Sequence, residues 1–354
     1  MLYGKLDGKV AADQSPVLLG MTVSFLLGAG FNADANTLVG PYRARSLYGE
    51  AYDIRQPYPL ISELGAIAFP GEAIVSFEER LASAITAGDH TPVARMVDAL
   101  MRADHYTGAR LHESDAANIY DRFFDWCGPT SFLTFNYDAF VELRLFRAKR
   151  WYPHDGFGLP VQVTTMPGVT DVSNWRSTHR VLHLHGSYLL YSVDFALSPP
   201  DSGNVRWISR RARPEFLFDP DALGTHFFPF ERVPPSYGYR HPDRRIIAPV
   251  PDKTSGLGED FVRECYDLAR AQVTDSDRLF AIGYSFAECD RRSFEPILDA
   301  LSGGRHRSVT IIDPDAENIV GRLRAAYSGE YQPIPWRFRD WARLGFPESA
   351  VDRS

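Results

Sequence analysis

Two polar side chains of types that suit catalysis, Asn136 and His185, each lie just after a short apolar run of the sequence. An imidazole with its ordinary pKa can act as a general base near neutral pH. A side-chain amide can hold a water molecule or a carboxamide without bringing a charge that needs neutralising. Both have a plainer interpretation, because a lone histidine is commonly structural and asparagine favours turns. His183 would point to the opposite face of its strand, and we interpret it as structural.

Glycines follow another apolar run and predict a close approach by a phosphate or by another segment of backbone. The run Ser24–Leu27 is followed by Gly28, Ala29, Gly30, Phe31 and Asn32. This order is typical of a buried strand, a tight turn and a helix start, where backbone N–H groups can bind a pyrophosphate. The segment also fits the loose dinucleotide-binding pattern, but any glycine-tight turn between strand and helix gives the same letters. The pattern alone therefore leaves phosphate binding open.

Two later apolar runs end in Gly283 with Ser285, and in Asp313. Gly283 would leave room for a phosphate or a ribose, and Ser285 would offer a hydroxyl group. A carboxylate at a strand end, such as Asp313, can accept hydrogen bonds from both hydroxyls of an adenosine ribose. The alternative is that Asp313-Pro314-Asp315 only caps the next helix, although Asp315 alone could fill that role.

The elements that must position these residues alternate between short apolar strands and helices, which is the pattern of a parallel sheet covered on both faces. The first expected strand, with its glycine turn, lies at 23–30, and the others are 131–135, 180–184, 245–250, 279–283 and 308–312. The expected helices are 76–87, 90–102, 114–126, 139–148, 257–273, 290–302 and 315–327, the first capped by Ser76 with Glu78 and Glu79 in its first turn. Every candidate residue then follows the carboxyl end of a strand, where ligands bind in such sheets.

We therefore predict an α/β fold: a Rossmann-type, mainly parallel six-stranded sheet with helices on both faces, plus a helical and irregular insertion layer. One domain would span residues 1–354. Its core would comprise about 21–36, 128–150, 178–187 and 244–330, with a helical insertion at about 37–127 and an irregular one at about 188–243. The aromatic tail, 328–354, is expected to pack back on this body.

Composition excludes several classes of protein. The 354 residues are 44% hydrophobic and 23% charged, as in ordinary soluble proteins, and the net charge of −7 indicates no nucleic-acid partner. Cys127, Cys265 and Cys289 form no CxxC pair, so neither a disulfide framework nor a cysteine zinc site is predicted. The apolar run 17–27 is too short and too glycine-broken to span a bilayer, and no signal peptide precedes it. We expect a reduced, cytoplasmic setting without a membrane partner.

Four short motifs, in order along the chain, resemble those of the sirtuin (SIR2) superfamily. They are Gly28-Ala29-Gly30-Phe31, Thr134-Phe135-Asn136-Tyr137-Asp138, Leu184-His185-Gly186 and Gly283-Tyr284-Ser285. The corresponding sirtuin patterns are Gly-Ala-Gly, Thr-Gln-Asn-Ile-Asp, His-Gly and Gly-Thr-Ser, and the match spans roughly residues 23–315. Phe31, the Asn136-Tyr137-Asp138 form and the segment ending in Phe286 look most like the bacterial SIR2-like branch of anti-phage defence systems.

The resemblance implies an NAD-binding domain that breaks the bond between nicotinamide and ribose. It implies that Asn136 orients the attacking water, that His185 is the general base and that Asp138 contacts the nicotinamide carboxamide. The remaining cofactor-binding residues would be Gly28, Ala29, Gly30, Phe31 and Asn32 in the pyrophosphate loop, Gly283 and Ser285 at the adenosine half, and Asp313 at its ribose.

Two departures from the family pattern bear on the reaction. Sirtuin deacetylases carry a four-cysteine zinc module directly after the His-Gly pair, whereas residues 188–243 contain no cysteine, so no zinc or other metal is expected. Asn32 stands where sirtuins usually have serine, which changes the contacts of that loop. Without the zinc module, water is the expected acceptor, and the predicted reaction is hydrolysis of NAD to nicotinamide and ADP-ribose.

The predicted function is thus an NADase, an effector of anti-phage defence that depletes NAD. Because such an enzyme must be restrained until it is triggered, a homo-oligomer or a separate activating or sensor protein is implied. The alternatives are NAD-dependent protein deacylation or ADP-ribosyl transfer, and a non-catalytic sensor that binds NAD or ADP-ribose. A dehydrogenase is permitted by the glycine turn, but no strand ending in an acidic residue follows about twenty residues later.

Overall fold

A computed structural model describes residues 22–39, 42–45, 51–54, 61–73, 76–110, 115–159, 162–164, 176–192, 195–196, 208–209, 215–217, 243–246, 260–303 and 308–347. The strands are β1 (Val23–Leu27), β2 (Tyr42–Arg45), β3 (Ala51–Ile54), β4 (Ser131–Thr134), β5 (Gln162–Thr164), β6 (Arg180–His183), β7 (Gly186–Ser192), β8 (Phe195–Ala196), β9 (Ile208–Ser209), β10 (Glu215–Leu217), β11 (Asp243–Ile246), β12 (Arg278–Ile282), β13 (Ser308–Ile312) and β14 (Glu330–Ile334). The helices are α1 (Ala29–Val39), α2 (Ile61–Ala68), α3 (Phe77–Thr86), α4 (Thr91–Arg110), α5 (Asp115–Cys127), α6 (Phe140–Arg147), α7 (Pro153–Gly156), α8 (Asp260–Thr274), α9 (Arg291–Ser302), α10 (Ala316–Ala326) and α11 (Phe338–Arg343).

A six-stranded, entirely parallel sheet forms the centre of the fold, in the order β14-β13-β12-β1-β4-β6. The middle strands are buried along consecutive residues, as in Phe25, Leu26 and Leu27 of β1. Because successive side chains of a strand point to opposite faces, this pattern shows that both faces of the sheet are covered. The predicted α/β class, with helices on both faces of a mainly parallel sheet, is confirmed.

Aromatic side chains fill one face of the sheet. The ring of Phe25 lies 5.6 Å from that of Phe123 on α5, 5.6 Å from Phe132 on β4 and 5.7 Å from Phe280 on β12. Trp341 of α11 packs on Phe280 at 5.9 Å and so brings α11 against the same face. Rings packed edge-to-face or offset at these separations contribute beyond their buried area. These ring contacts anchor α5 and α11 to strands β1, β4 and β12 of the sheet.

The helices agree with their predicted positions within a few residues, apart from the longer α4. Ser76 caps α3 as expected, its hydroxyl oxygen facing the Glu79 N–H at 3.5 Å. Helices α2, α3 and the start of α4 share a second, smaller apolar cluster that includes Leu64, Leu81 and Met96. The later part of α4, including Leu100, belongs to the main core instead. Helix α4 therefore connects the helical insertion to the sheet domain.

Two strand predictions are corrected. The segment 245–250 was expected in the parallel sheet, but β11 (Asp243–Ile246) pairs antiparallel with β7 in a separate four-stranded sheet, and 247–250 lie outside the described residues. The sixth parallel strand is β14, within the tail that was predicted only to pack back on the body. Residues 243–245 are charged, which suits a strand at the edge of a smaller sheet. Tyr331 and Ile334 of β14, in contrast, are buried, as expected of a strand in the covered parallel sheet. Strands also occur in the 188–243 segment, which was expected to be irregular.

Among the helices in the described ranges, none combines the length and the apolar character needed to cross a membrane.

Candidate active site

The predicted site residues follow five neighbouring strands of the parallel sheet, in the order β13, β12, β1, β4, β6. Asp313 follows β13, Gly283 follows β12, Gly28 follows β1, Asn136 follows β4 and His185 follows β6. Four interstrand spacings separate the outer two strands, a distance of about 19 Å. The carboxyl ends of these strands therefore form one edge, on which the candidate residues lie in a fixed sequence.

Three glycines bring the turns after β1 and β12 into backbone contact. A Cβ atom on Gly28 would lie 2.4 Å from the Gly283 carbonyl oxygen, and one on Gly30 would lie 2.7 Å from the Gly283 Cα. The Gly28 N–H donates to Ile282 O at 2.9 Å, and the Gly30 N–H donates to Gly283 O at 2.9 Å. The close approach predicted from the glycines thus occurs between two turns of the chain itself.

Because of these bonds, a pyrophosphate in the loop would have to use other donors. Among the three residues predicted to line it, only Ala29 donates no backbone hydrogen bond to the described residues. Ala29 is exposed at the first position of α1, where N–H groups and the helix dipole favour an anion. Gly28 and Gly30 then act by shaping the turn that presents this helix end.

Phe31, also predicted as a cofactor residue, has a fully buried side chain. Its ring packs 4.6 Å from that of Phe338 on α11 and 5.2 Å from that of Tyr120 on α5. The Tyr120 hydroxyl donates to the Phe31 carbonyl oxygen at 2.8 Å. The Phe31 N–H donates to the Gly28 carbonyl oxygen at 3.0 Å. Phe31 therefore holds the first turn of α1 to the core through its ring and its backbone.

The turn after β4 carries Asn136 and Asp138, and buried groups hold its backbone. The Thr134 hydroxyl accepts from the Asn136 N–H at 3.0 Å, and the Asn136 carbonyl oxygen lies 3.1 Å from His183 Nδ1. Asp104, reaching from α4, accepts from the Ala139 N–H at 2.7 Å. The half-buried Asn136 side chain makes no hydrogen bond to the described residues, so its amide can serve a ligand.

Asp138 is buried beside Asn32. Its Oδ1 accepts from Asn32 Nδ2 at 2.9 Å and from the Phe140 N–H at 3.1 Å. Burial raises the pKa of Asp138 to about 6, and these two hydrogen bonds offset only part of the effect. The Asn32 oxygen, also buried, has no hydrogen-bond partner among the described residues. Asn32 therefore makes a direct contact between the glycine loop and the turn after β4.

Replacement of Asp138 by asparagine is expected to stabilise the protein at pH 7.5. A carboxyl whose pKa is raised by folding contributes stability below its unfolded pKa and loses it as pH rises through about 6. Asparagine keeps the Oδ1 acceptor but never ionises, so the free energy of unfolding relative to wild type should increase by up to ~3 kcal/mol between pH 4 and pH 7.5.

Urea unfolding at both pH values measures this difference. The control is Asp299→Asn at an exposed position of α9, where we expect a change within ~0.5 kcal/mol at either pH. A pH-independent difference for the Asp138 variant would show that the buried carboxyl does not titrate as inferred.

His185 lies at the junction of three strand ends. Its ring centroid is 4.8 Å from that of Phe135 and 5.9 Å from that of Tyr137, and the Phe135 ring is in turn 4.8 Å from that of Tyr284 after β12. His185 Nε2 lies 3.0 Å from the Ser293 hydroxyl of α9. The imidazole is buried, so its orientation is fixed by the aromatic neighbours and by this polar contact.

The adenosine side of the predicted site contains Ser285 and Asp313. Ser285 is exposed, and its carbonyl oxygen accepts from Arg322 Nη2 at 2.7 Å. Asp313 is half-buried, and its Oδ1 accepts from the Asp315 N–H at 2.8 Å at the start of α10. Asp313 therefore makes the hydrogen bond at the start of α10 that the helix-capping interpretation requires. The Asp315 side chain, which was expected to cap the helix, makes no capping bond. Asp313 Oδ2 accepts no hydrogen bond from the described residues, so the carboxyl keeps one oxygen for a ligand.

Several polar residues at this edge were not singled out from the sequence. Ser293 is buried and contacts the predicted residue His185. Asp104 and Glu142 are also buried, and they bind the Ala139 N–H and His183, respectively. The spacing of Asp138 and Glu142, four residues apart at the start of a helix, was a signal that could have indicated a shared face. Asp104 lies in the middle of a long helix, and nothing in its neighbourhood in the sequence indicates its role. No cluster of three or more His, Cys, Asp or Glu side chains suited to a metal occurs in the part of the chain that the structure describes.

The chain is similar to several solved structures of Sir2 homologues. Two mutant Sir2 homologues in complex with ADP-ribose match at 13% and 14% identity, each with a TM-score of 0.40. The first match covers 91% of this chain and 89% of the homologue, and the second covers 94% of each. A Sir2 homologue–NAD complex matches at 12% identity over 92% of this chain and 90% of its own, with a TM-score of 0.32. No protein-family model and no curated protein matches the sequence.

Proposed function

We propose that the protein is an NAD hydrolase that cleaves the nicotinamide–ribose bond. The observation that carries the proposal is the order of chemical groups along the edge of the sheet. A carboxylate, Asp313, stands at one end, the turn of glycines and the α1 N-terminus in the middle, and Asn136 with His185 at the other end. The parts of NAD follow the same order: adenosine ribose, pyrophosphate, nicotinamide ribose.

The reaction needs few groups, because the leaving nicotinamide is neutral once the bond breaks. The C1′–N bond breaks with its electron pair going to nicotinamide, and water forms a bond to C1′ and releases a proton. In this proposal the Asn136 amide orients that water, His185 accepts a proton in the nicotinamide-ribose half of the site, and Asp138 accepts from the carboxamide N–H₂. The resemblance of the motifs to the sirtuin superfamily supports these roles.

We further propose that the chain acts as one domain and as an NAD-depleting effector of anti-phage defence inside the cell. Its substrate is free NAD, with water as acceptor and no zinc. Such an activity must be restrained until needed, so we expect control by self-assembly or by a separate activating protein. The link from the helical insertion to the turn of Asn136, through Asp104 of α4, offers a route for that control.

The proposal is tested by incubating the purified chain with NAD over a range of protein concentrations and separating the products by chromatography. We expect equal amounts of nicotinamide and ADP-ribose. His185→Ala should lose ~10²- to 10⁴-fold in kcat, the range that general-base catalysis supplies. His154→Ala is the matched control, because His154 lies in α7 outside the proposed machinery and should keep wild-type kcat.

Calorimetric titration with NAD separates the remaining outcomes. Binding without cleavage at every concentration, also in the presence of cell extract, would favour a sensor that uses the same groups. ADP-ribose appearing on an acceptor protein rather than in solution would favour transfer. Absence of binding would exclude the proposed site altogether.

A further inference from the structure

A buried pair of titratable side chains, His183 and Glu142, lies directly behind Asn136. His183, at the end of β6, contacts Glu142 of α6 through Nε2 and Oε1, and neither side chain is more than 2% exposed. The other ring nitrogen, Nδ1, lies 3.1 Å from the Asn136 carbonyl oxygen. The second carboxylate oxygen, Glu142 Oε2, has no hydrogen-bond partner among the described residues. The carboxylate is therefore directed at the imidazole.

The chemistry of the three groups fixes one proton. A carbonyl oxygen can only accept a hydrogen bond, so Nδ1 of His183 must carry a hydrogen for the contact with Asn136 to form. Glu142 then either accepts from a second N–H on Nε2 or, when protonated, donates to a bare Nε2. Both states are neutral as a pair, and both leave the Nδ1–H donor in place. In both states, therefore, the pair keeps a hydrogen on Nδ1 of His183.

We propose that His183 and Glu142 are positioning residues that set the direction of the Asn136 side chain, an inference that rests on the proposed NAD hydrolase. Thr134 holds the Asn136 N–H and His183 holds its carbonyl oxygen, so the peptide groups on both sides of the residue are fixed. An amide that must hold a water within attacking distance of C1′, about 3–3.5 Å, loses rate steeply when its direction changes.

Other charged or titratable groups face His183 from the elements around it. Asp138 lies on the same turn as Asn136, and the Cys265 thiol of α8 contacts the His183 backbone; burial raises the pKa of that thiol, so it stays neutral. Burial lowers the pKa of His183, but the Glu142 carboxylate, the Asn136 carbonyl oxygen and the Asp138 carboxylate together more than offset this, and the net shift is upwards. This direction agrees with the hydrogen that the contact with Asn136 requires on Nδ1.

Kinetics of three variants test the role. His183→Phe removes the donor and should lower kcat for NAD by ~10²-fold while KM changes by less than ~3-fold. Glu142→Gln can still donate to a bare Nε2 and retain the Nδ1–H donor, so it should stay within ~3-fold of wild type. His179→Phe replaces another buried histidine, at the amino end of the same strand and away from the site, and should also leave kcat within ~3-fold. Equal losses in the His183 and His179 variants, or a Glu142→Gln variant as slow as His183→Phe, would overturn the proposal.

Nitrogen NMR of the wild-type chain with ¹⁵N-labelled histidine reads the tautomer without reference to activity. We expect Nδ1 of His183 to carry a hydrogen from pH 6 to pH 8, with its signal identified by its loss in the His183 variant or, if that variant does not fold, by its shift in Glu142→Gln. An Nδ1 without a hydrogen would overturn the proposed role of His183 even if NAD is cleaved. Failure of wild type to cleave NAD would instead count against the proposed function, and the tautomer would remain readable.

Discussion

Replacement of Asn136 by alanine is expected to reduce NAD cleavage by ~10²- to 10³-fold, with NAD affinity kept within several-fold. This is the range measured when one preorganised polar group of an active site is removed. The side chain makes no hydrogen bond to the described residues and is half-buried, so its truncation should leave the free energy of unfolding within ~1 kcal/mol of wild type. A large loss of rate without a loss of stability or binding is the mark of a group that acts on the reacting water.

Single-turnover kinetics with calorimetric NAD titration and thermal unfolding measure the three quantities in one preparation. The matched control is Asn318→Ala, because Asn318 is exposed on α10 and its side chain donates to Asp315 at the start of the same helix, away from the proposed site. Its cleavage rate should equal that of wild type. If the Asn136 variant cleaves NAD at more than about a tenth of the wild-type rate, the water-orienting role of this amide is wrong.

The edge of the sheet could be predicted because its signals are local in sequence. Each of Gly28, Asn136, His185, Gly283 and Asp313 follows an apolar run, and parallel strands bring such positions to one side. The order of the strands was not predictable in this way, since it depends on which apolar runs pair. The tail strand β14 illustrates this, because its residues Glu330 and Pro333 are poor strand formers in isolation, and pairing with β13 overrides that preference.

The contacts made by the supporting residues could not be predicted from the sequence, for a different reason. His183 and Glu142 are 41 residues apart, and Asp104 lies 35 residues from the Ala139 N–H that it binds. Each is an ordinary polar residue in its own helix or strand, and only the folded chain removes it from water and gives it a partner. The sequence interpretation of His183 as structural is thus retained in part. The side chain is buried and paired with Glu142, but its other ring nitrogen contacts the backbone carbonyl oxygen of Asn136, the proposed catalytic amide.

The glycines after β1 and β12 contribute both to the packing of the fold and to the shape of the proposed site. The sequence left open whether Gly28, Gly30 and Gly283 admit a phosphate or a segment of backbone. In the structure the two turns pack against each other. The N–H groups of Gly28, Gly30 and Gly283 donate to the carbonyl oxygens of Ile282, Gly283 and Ile312, respectively. What remains for a ligand is the exposed first turn of α1 that these contacts hold in place. Damage to the contacts should therefore cost both stability and NAD binding.

Gly283→Ala is expected to lower the free energy of unfolding by about 3 kcal/mol or more and to weaken NAD binding at least tenfold. Gly283 has φ +62°, a left-handed conformation that costs an L-residue ~1–2 kcal/mol. A Cβ atom would also lie 2.3 Å from the Phe31 nitrogen and 2.4 Å from the Gly30 carbonyl carbon. Both are backbone atoms of the α1 turn and cannot rotate away, so the turn itself must move, at a further cost of ~1–3 kcal/mol.

Gly321→Ala provides the matched control, because it is the same substitution at an exposed position inside α10 with no atom within 4 Å of the added Cβ. There, alanine should raise the free energy of unfolding by ~0.5–1 kcal/mol, since glycine is the poorer helix former. Urea unfolding of the two variants beside wild type should give shifts of opposite sign, and NAD titration should show a loss only for Gly283→Ala. Unchanged stability of the Gly283 variant would mean that the turns after β1 and β12 do not meet through these atoms. A destabilised variant that binds NAD as wild type does would separate the turn from the cofactor and move the proposed pyrophosphate position away from α1.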